Sequence, residues 1–122
     1  MRKQTICLDF DGVINSYRSG FTTPQAIPDP PVPGVLEWIS ENANAFKFVI
    51  CSARAAHHGG AKAIEQWLDR HGFRHLVSKG VLTVSKDGVK PPAILYIDDR
   101  GYRFEGTFPS REFMQNFQPY KS

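Results

Sequence analysis

The sequence has only two cysteines and no long apolar run, and both shortages exclude whole classes of protein. Cys7 and Cys51 each stand inside a short hydrophobic segment, where a reduced thiol acts as a small buried hydrophobe, so no disulfide framework is expected. No stretch approaches the roughly 18–20 apolar residues that cross a bilayer, and a soluble protein without membrane contact is expected. Asp9 and Asp11 interrupt the early hydrophobic run, so nothing there reads as a secretory leader and a cytoplasmic location is the default. Disorder is excluded too. The 122 residues are 41% hydrophobic and 22% charged, the size and balance of one domain, 1–122.

The formal charge of +3 comes from 15 basic and 12 acidic residues. If Asp9, Asp11, Asp98 and Asp99 form one cluster, 8 acidic residues remain against the 15 basic ones, an excess of seven. A local acidic focus in a basic body suits a metal ion and an anionic substrate.

The hydrophobic pattern alternates between strand and helix. Gln4 to Asp9 reads as a buried parallel strand ending in carboxylates, and Phe46 to Cys51 as a second. Residues 14–33 hold five of the nine prolines, which no helix sustains, so a loop or flap is expected there. Gly34 to Ala43 predicts a helix with Val35, Leu36, Trp38 and Ile39 on one stripe. Ala61 to His71 predicts a second, carrying Ile64, Trp67 and Leu68 and closed by Gly72. Val81 to Val84 and Ala93 to Ile97 are short strands, and Ser110 caps a terminal helix to Phe117. Trp38, Trp67, Phe113 and Phe117 are assigned to the core. Strands joined by helical crossovers predict a mainly parallel α/β sheet with helices on both faces, whose ligands bind beyond the carboxyl ends of the strands.

Those ends carry the chemistry: Asp9-Phe10-Asp11-Gly12 after the first strand, Ser52-Ala53-Arg54 after the second, Lys90-Pro91 before the fourth and Asp98-Asp99-Arg100 after it. Alternation along an extended chain puts Asp9 and Asp11 on one side, and paired carboxylates need a counter-ion. A hard divalent cation meets that need if Asp98 or Asp99 approaches from the neighbouring strand. Taken alone, Ser52 is as well explained as a strand-end cap, Lys90 as a solvated lysine and the Asp98-Asp99 pair as a turn. His57 and His58 lack partners at zinc spacing and read as loop residues. Tyr17 and Arg18 on the flap are candidates for substrate contact, and Arg54 for a second anionic group of the substrate or a surface salt bridge.

In order, DFDGV, VICSAR, VKPP and LYIDDR resemble the four successive motifs of the haloacid dehalogenase superfamily. The resemblance implies a Rossmann-like three-layer sandwich and magnesium-dependent phosphoryl transfer. Position by position, it implies Asp9 as nucleophile and Asp11 as general acid and base. It also implies Ser52 as a hydroxyl on the phosphoryl group and Lys90 as the cation that steadies it. Lys86 is a rival to Lys90, less favoured because Pro91 and Pro92 lead Lys90 directly into the last strand. Magnesium would be held by Asp9, Asp11, Asp98 and Asp99, the resemblance leaving open which of the last two binds directly. By the same resemblance, aspartate at position 11 points to phosphatase or phosphotransferase chemistry, since dehalogenating members lack it and ion-pumping ATPases carry threonine.

The loop at 14–33 and the single helix and strand expected between Ser52 and Lys90 leave no room for the cap domain that many members carry. The resemblance implies that such open sites admit large substrates, phosphorylated nucleic-acid ends and phosphoproteins among them, with small phosphate esters such as a nucleotide left open, and the basic excess favours a nucleic-acid end. Two other classes compete. A receiver-like phospho-acceptor domain has a similar size and inventory, but places its acidic pair on the first strand. A non-catalytic nucleic-acid-binding module on the same fold would not need Asp9, Asp11, Ser52, Lys90 and Asp98 together.

Overall fold

The structure is a computed structural model and describes residues 3–98 and 104–116. Strands β1 (Gln4–Asp9), β2 (Phe46–Cys51), β3 (Leu82–Val84) and β4 (Leu95–Ile97) form one sheet in the order β3-β2-β1-β4, parallel throughout. The helices are α1 (Val35–Asn42), α2 (Gly60–Arg70), α3 (Arg74–Ser78) and α4 (Arg111–Asn116), with a 3-10 turn at Ala53–Ala56. β1 and β2 coincide with the two apolar runs, because continuous hydrophobic segments of that length suit strands flanked on both sides. α3 was not expected. It is one short turn with no side-chain cap, held by Leu76 in the core, and it adds a helix to the span between Ser52 and Lys90.

The core lies on one face of the sheet. Register pairs Ile6 with Phe48 and Leu95, Phe48 with Leu82, and Leu8 with Ile50 and Ile97, and all of these side chains are buried in one cluster. The cluster also takes Val35 and Ile39 of α1, Ile64, Trp67 and Leu68 of α2, Leu76 of α3 and Met114 of α4. Trp38 packs edge-on to Phe48 and stacks on Phe108, while its Nε1 donates to the Pro109 carbonyl at 2.7 Å, which docks the start of α4 beside α1. Phe113, assigned to the core from its stripe, is 44% exposed, because so short a helix buries one side chain and Met114 takes that place. Phe117 lies outside the described residues.

Helices on both faces were expected, yet among the described residues all four helices join this single core. The crossovers β1 to β2 and β2 to β3 step in the same direction across the sheet, so right-handed connections put α1, α2 and α3 on the same side. The connection β3 to β4 runs back the other way and is the one that would cover the opposite face. It contains no helix, because residues 85–94 hold an Asp87-Gly88 turn and Pro91-Pro92. The opposite face therefore bears Lys47 and Thr83 exposed and Thr5, Val49 and Tyr96 half-buried, with Cys7 buried among them. No helix among the described residues is long and apolar enough to cross a membrane.

One close approach fixes how α2 meets the carboxyl edge of the sheet. A Cβ on Gly60, the first residue of α2, would lie 1.7 Å from the Arg54 carbonyl oxygen. Gly60→Ala must push the helix off that turn, so a loss of about 2–3 kcal/mol is expected, seen as a melting temperature lower by roughly 8–12 °C. A melt within a degree of wild type would show that the helix start yields without cost.

Candidate active site

The site opens where the strand order reverses. From β1 the chain goes to β2 on one side, whereas β4 arrives on the other, and the crevice between β1 and β4 is where such sheets bind ligands. Leu8 and Ile97 are the last pair in register there, so Asp9 and Asp98 leave adjacent strands side by side. Asp9 is half-buried, and its Oδ1 accepts the Phe10 amide at 2.9 Å. Asp98 is buried, and its Oδ2 accepts from Lys90 Nζ at 2.5 Å. Burial pushes the Asp9 carboxyl above the ordinary aspartate range; the Phe10 amide opposes this, the charges of Asp11 and Asp98 reinforce it, and Lys90 opposes it. Asp11, Asp98 and Lys90 thus all lie close enough to influence the Asp9 carboxyl.

Asp11 and Arg54 form a pair that the sequence does not foretell. Gly12, at φ 86°, turns the chain sharply after Asp11, and Asn15 comes back beside it. Asp11 Oδ1 accepts from Asn15 Nδ2 at 2.9 Å and from Arg54 Nε at 3.1 Å, and Oδ2 from the same Nε at 2.9 Å. Arg54 was expected either to reach a second anionic group of the substrate or to make a surface salt bridge. Instead it is only 2% exposed and turned inward. Its Nη1 donates to the carbonyls of Thr23, Pro24 and Ala26 at 3.0–3.2 Å, so one guanidinium ties Asp11 to the 14–33 segment. That segment is pinned again farther along. Asp29 accepts from the amide and hydroxyl of Ser19, which hold its carboxyl below the usual range, and its carbonyl accepts from Trp67 Nε1.

Ser52 follows Cys51, the register partner of Asp9, and is buried. Its Oγ accepts the Arg54 amide at 3.2 Å and caps the 3-10 turn, which leaves the hydroxyl hydrogen as a donor. The 85–90 loop passes directly over it. Gly88, at φ 76°, approaches so closely that a Cβ there would lie 2.8 Å from the Ser52 carbonyl oxygen. Asp87 Oδ1 accepts from the Ser85 hydroxyl and the Val89 amide and shapes this turn. The loop sets Lys90 on Asp98, whereas Lys86 lines a separate groove with His57, Lys62 and Glu65. Lys90 and not Lys86 therefore stands at Asp98.

Cys7 and Cys51 are free and buried, and the Cys7 thiol donates to Cys51 Sγ at 3.0 Å. Burial first, then the neighbouring sulfur, pushes the Cys7 thiol far up, which leaves it unreactive. His57 and His58 are exposed loop residues, and the His58 carbonyl accepts from Gln25 at 2.6 Å. Tyr17 sits in left-handed backbone at φ 61°, with its amide on Asn15 Oδ1, and Arg18 beside it is exposed. Asn15, buried at 1% and holding Asp11, was missed. Its one signal is a polar residue directly after Val13 and Ile14, at the edge of an apolar pair.

Magnesium is the cation that the motif resemblance implies. The donor chemistry fits, since Asp9, Asp11 and Asp98 offer only hard oxygens. Burial and two like charges disfavour ionised Asp9, a charge imbalance of the kind a bound cation offsets. Among the described residues no three of His, Cys, Asp and Glu stand together as a ready ligand set. The reason at Asp11 is that its carboxylate faces Arg54. Asp99, also expected as a ligand, lies outside the described residues.

Comparison with protein-family models, with curated proteins and with solved structures returns no match to any of them.

Proposed function

We propose that the chain is a magnesium-dependent phosphohydrolase of the haloacid dehalogenase type, which cleaves a phosphomonoester through an aspartyl phosphate on Asp9. The observation that carries this reading is the convergence of Asp9, Asp98 and Lys90 on the β1–β4 crevice, with Asp11 two residues beyond Asp9 and Ser52 at the end of the next strand. A carboxylate oxygen of Asp9 attacks phosphorus and forms the new bond, and the bond from phosphorus to the leaving group breaks with its electron pair on the oxygen of the departing alcohol. The Ser52 hydroxyl donates to a phosphoryl oxygen, and Lys90 places positive charge beside it. Asp11 gives a proton to the leaving oxygen and takes one from the water that then hydrolyses the acyl phosphate, which requires its carboxyl to turn from the Arg54 guanidinium it faces in this structure.

Two unit charges about 4 Å apart at an effective dielectric near 20 repel by roughly 4 kcal/mol, which an anionic nucleophile and an anionic phosphate must overcome. Magnesium, when bound by Asp9 and Asp98, supplies the positive charge that offsets this repulsion. The receiver reading is weaker, because the nucleophile-like pair stands on β1 and the second acidic pair follows β4.

Purified protein with magnesium should release inorganic phosphate from an aryl phosphate over many turnovers. EDTA should stop the release and added magnesium restore it. Release unaffected by EDTA would contradict the reading, as would none from any phosphomonoester.

A further inference from the structure

Two loops flank the carboxylates, and each carries one of the two most exposed large hydrophobic side chains among the described residues. Val89, 63% exposed, precedes Lys90, and Phe21, 53% exposed, lies on the 14–33 segment. A single exposed phenylalanine needs no explanation. Phe21, however, is firmly held. The Arg54 guanidinium lies over its ring, with Cζ 5.1 Å from the ring centre, and that guanidinium is buried and fixed by Asp11 and by three carbonyls of the same loop.

The surrounding backbone is tied down at Ser19 to Asp29 and at Gln25 to His58. One face of the ring is therefore seated on a cation, while half of the residue's surface stays open. Such a surface needs little ordering before it binds. Because the same guanidinium touches Asp11, ring centre and carboxylate are at most about 9 Å apart. The span from a phosphate across one sugar to its base falls within that limit.

From this geometry we infer that the outer face of Phe21 is a stacking platform for a planar base carried by the leaving alcohol, so that the substrate is a nucleotide or the phosphorylated end of a nucleic acid. The inference rests on the phosphohydrolase reading and adds its substrate class. The 15 basic residues against 12 acidic agree with an anionic substrate, and a groove at the ends of β2 and β3 on the same edge of the sheet is lined by Lys62, Lys86 and His57 with one acidic residue, Glu65.

The test compares kcat/KM for adenosine 5′-monophosphate, for a short oligodeoxynucleotide ending in phosphate, and for glycerol 3-phosphate, which has no ring. The proteins are wild type, Phe21→Ala, Phe21→Leu and Phe21→Trp. The ratio of ring-bearing to ringless substrate should fall about tenfold or more in the alanine and leucine variants, mainly through KM, and be kept by tryptophan. A greater fall for the oligonucleotide identifies a nucleic-acid end, and an equal fall a free nucleotide. Phe21→Ala also uncovers Arg54, so the leucine variant, which keeps bulk without a π face, decides the matter. A ratio unchanged in Phe21→Leu overturns the platform. If wild type cleaves no phosphomonoester at all, the phosphohydrolase reading fails separately. Quenching of Phe21→Trp fluorescence by adenosine 5′-monophosphate, beyond any seen in wild type, then supports the platform, and its absence refutes it.

Discussion

Arg54→Met should cost about 2–4 kcal/mol of stability, because it removes the buried partner of an ion pair and leaves the partly exposed Asp11 without its counter-charge. The loss is not only electrostatic. The carbonyls of Thr23, Pro24 and Ala26 lose their shared donor, and Phe21 loses the cation that fixes its ring. The midpoint of urea unfolding should fall accordingly, and amide exchange should quicken first in residues 16–26, where the guanidinium is the main tie. Arg54→Lys keeps the charge but has one ammonium in place of a planar fork, so it should recover only part of the loss. Combining Arg54→Met with Asp11→Asn should cost less than the two changes summed, since neither residue is then left with an unmatched charge. Wild-type stability and protection in Arg54→Met would mean that the guanidinium holds nothing.

How far the sequence foretells this molecule depends on the range of the interactions. β1 and β2 are plain in the sequence because a short, mostly apolar segment bounded by polar residues is its own signal. Residues 14–33 read as a loop because prolines act locally. α3 escapes notice, since five residues with no capping side chain become helical only when Leu76 finds the core and the Phe73 carbonyl accepts from the Leu76 and Val77 amides. The role of Arg54 escapes for a like reason: its partners lie roughly 30 to 40 residues upstream and include backbone carbonyls, which leave no trace in residue type. That the helices among the described residues share one face follows from residues 85–94, whose turn and prolines rule out a crossover helix there. Alternation of strands and helices along the whole chain suggested two covered faces, but this one connection decides otherwise.

Asp9→Asn should lower phosphate release by at least about 1,000-fold, since an amide oxygen of the same shape cannot serve as the nucleophile. The fold should not suffer. The amide oxygen of the substituted side chain can still accept from the Phe10 amide, and the substitution removes a carboxylate whose ionised form is disfavoured by burial and by Asp11 and Asp98. A folded-state pKa raised above the unfolded one means that ionised Asp9 detracts from stability at neutral pH. In metal-free buffer the variant should therefore melt at or above the temperature of wild type, giving up activity without loss of stability. The most direct measurement is mass spectrometry of the protein quenched during turnover. The account predicts one phosphoryl group on the peptide that contains Asp9 in wild type and none in Asp9→Asn. A phosphoryl group found on a different residue, or an Asp9→Asn enzyme that turns over at the wild-type rate, would contradict it.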